Sequence, residues 1–154
     1  MSKINEILNS IQSELKAPKN QKNTFGGYFY RTLDGIFENV KPLLKKYGAV
    51  LTITDDIVAV EDRVYVKAIA TITSVEDNSQ ITVSAFARED VNKKGMDLSQ
   101  LTGSCSSYAR KYALNGLFCI DDTKDADATT TGDEPQPPKR RSRRKVAVDE
   151  TCPF

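Results

Sequence analysis

Residues 102–122 have the sequence TGSCSSYARKYALNGLFCIDD, and the interpretation of the fold begins with them. The apolar residues of this segment recur at spacings of three and four, which predicts an amphipathic helix. The predicted buried stripe is Leu101, Cys105, Tyr108, Ala109 and Tyr112. The other faces carry small residues, which allow close approach, and the adjacent cations Arg110 and Lys111. Asn115-Gly116 predicts the end of the helix, because glycine tolerates the left-handed cap conformation. An ordinary core helix with a solvated basic edge would show the same pattern.

Upstream of this helix, three runs predict antiparallel strands at residues 50–60, Arg63–Ser74 and Gln80–Arg88, the first broken at Asp55-Asp56. Alternation gives the last two strands one apolar face. That face comprises Val64, Val66, Ala68, Ala70, Ile72, Ile81, Val83, Ala85 and Ala87. The opposite face is polar with a few rings and cations. We therefore expect helices to cover the first face and solvent or a ligand to contact the second.

The N-terminal part predicts a helix over residues 3–16 that Pro18 closes, then a hairpin or extended segment over 25–31 with a turn at Gly26-Gly27. A second helix is predicted from an N-cap at Thr32 to Gly48, bent at Pro42. The predicted fold class is α+β, an antiparallel β-β-β-α core packed against helices. We expect one folded domain over residues 1–127 and a disordered tail over 128–154.

Composition restricts the chemistry of this 154-residue chain. It has no histidine, no Walker A loop and no G-x-G-x-x-G motif, so nucleotide hydrolysis and His-based catalysis have no support. Three unpaired-looking cysteines favour a reduced cytosolic setting. The charged N-terminus predicts no signal peptide, and no apolar run is long enough for a membrane helix. We expect a non-enzymatic cytoplasmic protein without a cofactor.

Charge is unevenly distributed along the chain. The tail holds six of the 22 basic and four of the 21 acidic residues, which leaves 16 basic and 17 acidic residues in 1–127. The domain therefore has a net charge of −1, and any DNA contact must use a local patch. Cations neutralise phosphates, and aromatic rings stack on bases irrespective of sequence. The candidate DNA-binding residues are Lys19, Lys22, Tyr28, Tyr30, Arg31, Lys67, Phe86, Arg88, Lys93, Lys94, Ser107, Arg110 and Lys111.

The run GSCSSYARKYALNGL at 103–117 resembles the signature segment G-S-x-x-[ST]-Y-x-[RK]-[RK]-Y-x-L of the ERF (essential recombination function) family of phage single-strand DNA annealing proteins. The resemblance extends to KNTFGGYFYRT at 22–32 and VKPLL at 40–44, and so covers roughly residues 3–127. It implies oligomeric rings or filaments that hold one single strand by its phosphates with the bases exposed. Annealing would then be driven by base pairing, without ATP or metal. The passive alternative is a protein that coats single strands without pairing them.

A nuclease is the alternative from a different class. Asp121, Asp122, Asp125 and Asp127 form an acidic cluster that could hold magnesium. No second carboxylate group can be paired with it from the sequence, so a solvated helix exit is the preferred interpretation.

The tail carries two further features. Its basic run, which predicts a sequence-independent polyanion contact or a solubilising segment, is Lys139, Arg140, Arg141, Arg143, Arg144 and Lys145. The final residues DETCPF resemble the acidic tip of bacterial single-stranded DNA-binding proteins (SSB). The residues of this tip are Asp149, Glu150, Pro153 and Phe154. We therefore expect a docking contact with host repair proteins that bind the SSB tail.

Overall fold

A three-stranded antiparallel sheet with helices on one face forms the centre of the molecule. The structure, a computed structural model, describes residues 2–89 and 97–120. In chain order the elements are α1 (Lys3–Glu14), β1 (Gln21–Lys22), β2 (Phe29–Tyr30), α2 (Leu33–Tyr47), β3 (Ala49–Val60), β4 (Arg63–Ser74), β5 (Gln80–Arg88) and α3 (Leu98–Phe118). The predicted α+β class and the predicted order of elements are confirmed.

The sheet has the order β3-β4-β5, with both pairings antiparallel. The predicted break in the first strand is wrong, because β3 pairs with β4 without interruption through Asp55↔Ala68 and Asp56↔Lys67. The two aspartates lie on opposite faces, as alternation along a strand requires. A tight turn joins β3 to β4, with Glu61 at a φ of 54°.

The inner face of the sheet carries the core. Val66, Ala68, Ala70 and Ile72 on β4 are completely buried against the helices. The apolar stripes of α1 and α2 join the same cluster. Their buried members are Ile4, Ile7, Leu8, Ile11, Ile36, Val40, Leu43 and Leu44. Within residues 2–89 and 97–120, helices cover this face and no element covers the opposite one, so the predicted division of the sheet into a covered and an uncovered face is confirmed for the described residues.

Helix α2 begins and ends where its sequence signals predict. The Thr32 side chain accepts a hydrogen bond from the Gly35 backbone nitrogen at 3.0 Å, and Gly48 caps the other end in the left-handed conformation. The helix continues through Pro42. This helix then leads directly into β3.

Helix α3 differs from its prediction in two respects. Tyr108 and Tyr112 were expected to be buried, but about half of each side chain is exposed. The buried stripe instead contains Ala109 and Ala113, which follow Cys105 at intervals of four residues. Alanine side chains suit a close contact with the sheet better than the bulky tyrosine rings do. The whole stripe comprises Leu101, Cys105, Ala109, Ala113, Leu114, Leu117 and Phe118.

The predicted helix end at Asn115-Gly116 is also wrong. Helix α3 continues to Phe118, and Cys119 takes the left-handed cap position with a φ of 48°. Gly116 serves packing instead: a Cβ atom built on it would lie 3.3 Å from Cγ1 of Val83 on β5. A glycine that looks like a stop signal thus lies inside the helix, at a position where a Cβ atom would press on β5.

The predicted disordered tail, residues 128–154, lies outside the described part of the chain. Within residues 2–89 and 97–120, no helix combines the length and apolar character needed to cross a bilayer.

Candidate nucleic-acid interface

The uncovered face of the sheet brings three of the predicted DNA-binding residues together. Lys67 pairs across the strands with Phe86, and Tyr65 pairs with Arg88. The Lys67 Nζ atom lies 5.8 Å from the centre of the Phe86 ring, and that ring is half exposed. Further along, the hydroxyls of Thr71 and Thr82 are 2.9 Å apart. This face therefore offers cations, rings and hydroxyls without a covering element in the described structure.

A second surface is the exposed flank of α3, formed by Tyr108, Lys111 and Tyr112. The two rings are neighbours one turn apart, with centroids separated by 6.3 Å. The Lys111 Nζ atom lies 4.4 Å from the centre of the Tyr108 ring. Such a cation–π contact orients the ammonium group without neutralising its charge. The flank thus presents two partly exposed rings beside a fixed cation.

Lys111 is also partly desolvated. Burial lowers the pKa of its ammonium group below the usual lysine value. Among residues 2–89 and 97–120, no carboxylate lies within ion-pair distance of it. A phosphate placed there would supply the anion that the fold does not, so this lysine is suited to a polyanionic ligand.

Arg110 is engaged differently from its neighbour. Its Nη2 atom lies 2.8 Å from Oδ2 of Asp55, and its Nε atom lies 3.1 Å from each carboxylate oxygen. Ser106 Oγ donates to the same carboxylate at 2.6 Å. The contact joins α3 to the edge strand β3. Arg110 therefore serves the fold, and its side chain is about one third exposed.

Asp55 was not among the predicted functional residues. Burial acts to raise the pKa of its carboxyl, but the hydrogen bonds from Arg110 and Ser106 and the arginine's charge outweigh burial and hold the pKa below its usual value. The sequence does contain a sign that Asp55 needs a partner, because Asp55 lies on the same side of β3 as the apolar residues Leu51, Ile53 and Ile57. An acid on the apolar face of a strand requires a partner from the covering helix.

The third surface is the β1–β2 hairpin, which carries Lys22, Tyr28 and Tyr30. The strands pair through Gln21↔Tyr30 and Lys22↔Phe29. The rings of Tyr28 and Tyr30 meet edge to face with centroids 6.5 Å apart. All three side chains are exposed, as is Lys19 before the hairpin. The predicted aromatic and basic residues of this segment therefore lie on one small element.

Arg31 follows the hairpin but lies inside the structure. The residue is only 8% exposed, and its Nε atom donates a hydrogen bond to the carbonyl oxygen of Ala17. The guanidinium thus ties the hairpin to the segment after α1. We leave Arg31 out of the proposed interface, because little of it is accessible to a phosphate.

The remaining predicted residues divide between exposed and undescribed positions. Ser107 lies on the exposed part of α3 and donates to the Gly103 carbonyl at 3.1 Å. Lys93 and Lys94 lie outside the described residues, as do the basic run and the Pro-Phe tip of the tail. The acidic cluster Asp121, Asp122, Asp125 and Asp127 lies there too. In the described ranges, no group of three or more potential metal ligands is present.

The predicted residues do not form one continuous track on a single face. Alternation places Lys67, Phe86 and Arg88 on the outer face of the sheet, whereas α3 packs on the inner face. The flank of α3 and the uncovered face are therefore separated by the sheet. Phe25 and Phe29 of the hairpin, which are more exposed than Tyr30, were not predicted as site residues.

Comparison with known proteins gives a family match over most of the chain. The model of the ERF superfamily matches residues 4–152. The "Essential recombination function protein" of Salmonella phage P22 is 61% identical over 120 residues, which are 78% of this chain. The aligned region is 57% of the phage P22 protein, so the chain spans little more than half of that relative. No solved structure matches.

Proposed function

Because the chain belongs to the ERF superfamily, we propose that it binds single-stranded DNA and anneals complementary strands without ATP during phage homologous recombination. The reaction makes and breaks no covalent bond, so we propose no catalytic residue and no cofactor. The protein would act in the cytoplasm of the bacterial host. The family supports a role in recombination, and the surfaces described above support a single-stranded substrate.

The observation that carries the proposal is the exposed flank of α3. Lys111 is desolvated, oriented by the Tyr108 ring and without a carboxylate partner in the described structure. Tyr112 extends the same ridge with a half-exposed ring. Fixed cations neutralise phosphates, while rings accept any base by stacking, which together suit sequence-independent binding of an unpaired strand.

A binding assay on the full chain tests this flank. Lys111→Ala removes one phosphate contact, so we expect weaker binding to a labelled single strand. We also expect the slope of log affinity against log salt concentration to fall by about 0.7. Lys41→Ala is the matched control, since Lys41 is an exposed lysine on α2, away from the flank. Equal salt slopes for the two variants would contradict the assignment.

Self-assembly is part of the proposal. Within the described residues, β3 and β5 each pair on one side only, so the sheet presents two unpaired edges of different sequence. Edge strands readily pair with another chain, and joining two different edges gives a head-to-tail ring or filament. The sheet therefore supports the oligomer that annealing along a strand requires.

Passive coating of single strands is the alternative function. The segment DETCPF is compatible with it, since a tip that recruits host repair proteins suits a coating protein as well as an annealing protein. The two functions differ in one respect: a coating protein would slow or fail to speed the pairing of complementary strands.

A further inference from the structure

Phe25, at the tip of the β1–β2 hairpin, is the most exposed large apolar side chain among the described residues. Its exposed fraction, 103%, equals that of a free side chain. Phe29 and Tyr28 beside it are more than half exposed. Apolar rings of this size are normally buried, and an exposed group of them marks a surface that contacts something else.

The tip that carries Phe25 is held by Asn23. The Asn23 Oδ1 atom accepts hydrogen bonds from the backbone nitrogens of Phe25 and Gly26, at 2.9 and 3.2 Å. Its Nδ2 atom donates to the Tyr28 hydroxyl at 2.9 Å. Backbone hydrogen bonds between Asn23 and both Tyr28 and Gly27 close the turn. The tip is therefore ordered before any partner arrives, which lowers the entropic cost of binding.

Positions 26 and 27 of the turn both require glycine, each for a different structural reason. A Cβ atom at position 26 would lie 2.5 Å from the Tyr28 ring, so only glycine lets that ring pack against the turn. Gly27 has a φ of +69°, in the left-handed region that favours glycine. Both residues serve to bring the Tyr28 ring and the exposed Phe25 onto one compact tip.

The charge around the tip points to a polyanion. Residues 16–33 contain three exposed lysines, Lys16, Lys19 and Lys22, and no acidic residue, while Arg31 of the same segment is buried. This contrasts with the domain as a whole, which is slightly acidic. Lys22, which pairs with Phe29 across the hairpin, places a cation beside exposed rings, as the alternating phosphates and bases of a nucleic acid require.

We propose that the hairpin tip is a nucleobase-stacking site, where Phe25 stacks on an unpaired base of single-stranded DNA while Lys22 contacts a neighbouring phosphate. The site is separate from the flank of α3, and the proposal rests on the single-strand binding proposed above. Tyr28 and Tyr30 extend the apolar surface beneath the base. A base inside a duplex already stacks on its neighbours, so the tip distinguishes unpaired from paired bases.

A second protein chain is the other occupant to consider. An apolar protein surface would match the rings, but it would have no need of an acid-free segment with three exposed lysines. The chemistry of the segment therefore favours the nucleic acid, and the experiment is chosen to reveal a protein contact if there is one.

The experiment measures the affinity of the full chain for two labelled strands. One strand is oligothymidylate, and the other has the same length and backbone but abasic sites in place of the bases. Wild type, Phe25→Ala, Phe25→Trp and Thr24→Ala are compared. Phe25→Ala removes no buried contact, Phe25→Trp keeps a stacking ring, and Thr24→Ala is the control at an adjacent exposed position. The size of the assembly is measured for each variant.

We expect wild type to bind the strand with bases more tightly than the abasic strand. Phe25→Ala should reduce this ratio of affinities about fivefold or more. Phe25→Trp and Thr24→Ala should give a ratio close to that of wild type. If Phe25→Ala keeps the wild-type preference for the strand with bases, the stacking site is wrong. If the Phe25→Ala assembly is also smaller than that of wild type, Phe25 contacts another protein chain instead. If wild type binds both strands equally, the stacking site is wrong while single-strand binding stands. If wild type binds neither strand, the proposed function itself fails.

Discussion

Arg110 on α3 and Asp55 on β3 form a two-pronged ion pair, in which Nη2 lies 2.8 Å from Oδ2 and Nε lies 3.1 Å from both oxygens. The residues are 55 positions apart in sequence and join the helix to an edge strand. Ser106 completes the arrangement one turn before Arg110. The adjacent Lys111 lies on a different part of the helix and has no such partner in the described structure. Two neighbouring cations of the signature segment therefore have different surroundings: Arg110 is paired with a carboxylate, and Lys111 lies over the Tyr108 ring.

Loss of the Asp55 carboxylate should destabilise the domain. Asp55→Asn keeps the shape of the side chain but removes the charge that Arg110 and Ser106 bind, so we expect a loss of about 1–2 kcal/mol in the free energy of unfolding. Urea unfolding measures it. Asp56→Asn, on the opposite, exposed face, is the control and should cost less than about 0.5 kcal/mol. Equal losses in the two variants would show that the ion pair adds no stability.

Acid should weaken the fold through Asp77 as well as Asp55. Hydrogen bonds from Ser79 and Ser74 lower the pKa of Asp77 to about 2, from an ordinary value of 3.8. A carboxyl with a depressed folded-state pKa contributes stability above its unfolded-state pKa, and that stability is lost as the pH falls through the folded-state value. We therefore expect a loss between about pH 4 and pH 2.

Urea unfolding across this pH range provides the measurement, and Asp77→Asn should make the pH dependence shallower. Asp62→Asn, in the turn between β3 and β4, is the control. A slope as steep in Asp77→Asn as in wild type would contradict the assignment.

The glycines of α3 should respond differently to alanine. Gly103 has open space where a Cβ would be, so Gly103→Ala should stabilise the helix by about 0.5–1 kcal/mol. A Cβ at Gly116 would press on Val83, which offsets this gain. We expect Gly116→Ala to be less stable than Gly103→Ala in thermal unfolding. The opposite order would mean that helix and sheet approach each other less closely at Gly116.

Most of the fold could be predicted because its signals are local. The apolar alternation of Arg63–Ser74 and the caps Thr32 and Gly48 each depend on a few neighbouring residues. The errors arose where distant contacts decide the outcome. Asp55 lies in a continuous strand and is paired with Arg110 of α3, and Gly116 lies inside α3 next to Val83 of β5.

The candidate site was harder to predict than the fold. Composition identified rings and cations but not which of them are exposed: Tyr108 was expected inside and lies outside, whereas Arg31 lies inside. Periodicity alone cannot separate a ring on the edge of a buried stripe from one within it. The acid-free segment around Phe25 was visible in the sequence, but its ordered tip follows from the contacts of Asn23.

The Pro-Phe tip makes a prediction about host partners. If the tip imitates that of SSB, a host enzyme that binds the SSB tail should be recovered with the wild-type chain and lost when Phe154 is deleted. A peptide of the SSB tail should compete for the same enzyme. Recovery that is equal with and without Phe154 would contradict the docking proposal.

The rate at which complementary strands pair shows whether the protein anneals DNA. Two complementary labelled strands are mixed with the full chain in the presence of a metal chelator and without ATP, and pairing is followed by energy transfer between the labels. We predict that the wild-type chain accelerates pairing, and that Lys111→Ala accelerates it less than Lys41→Ala. Pairing that is no faster than in the absence of the protein would contradict the annealing function and favour passive coating.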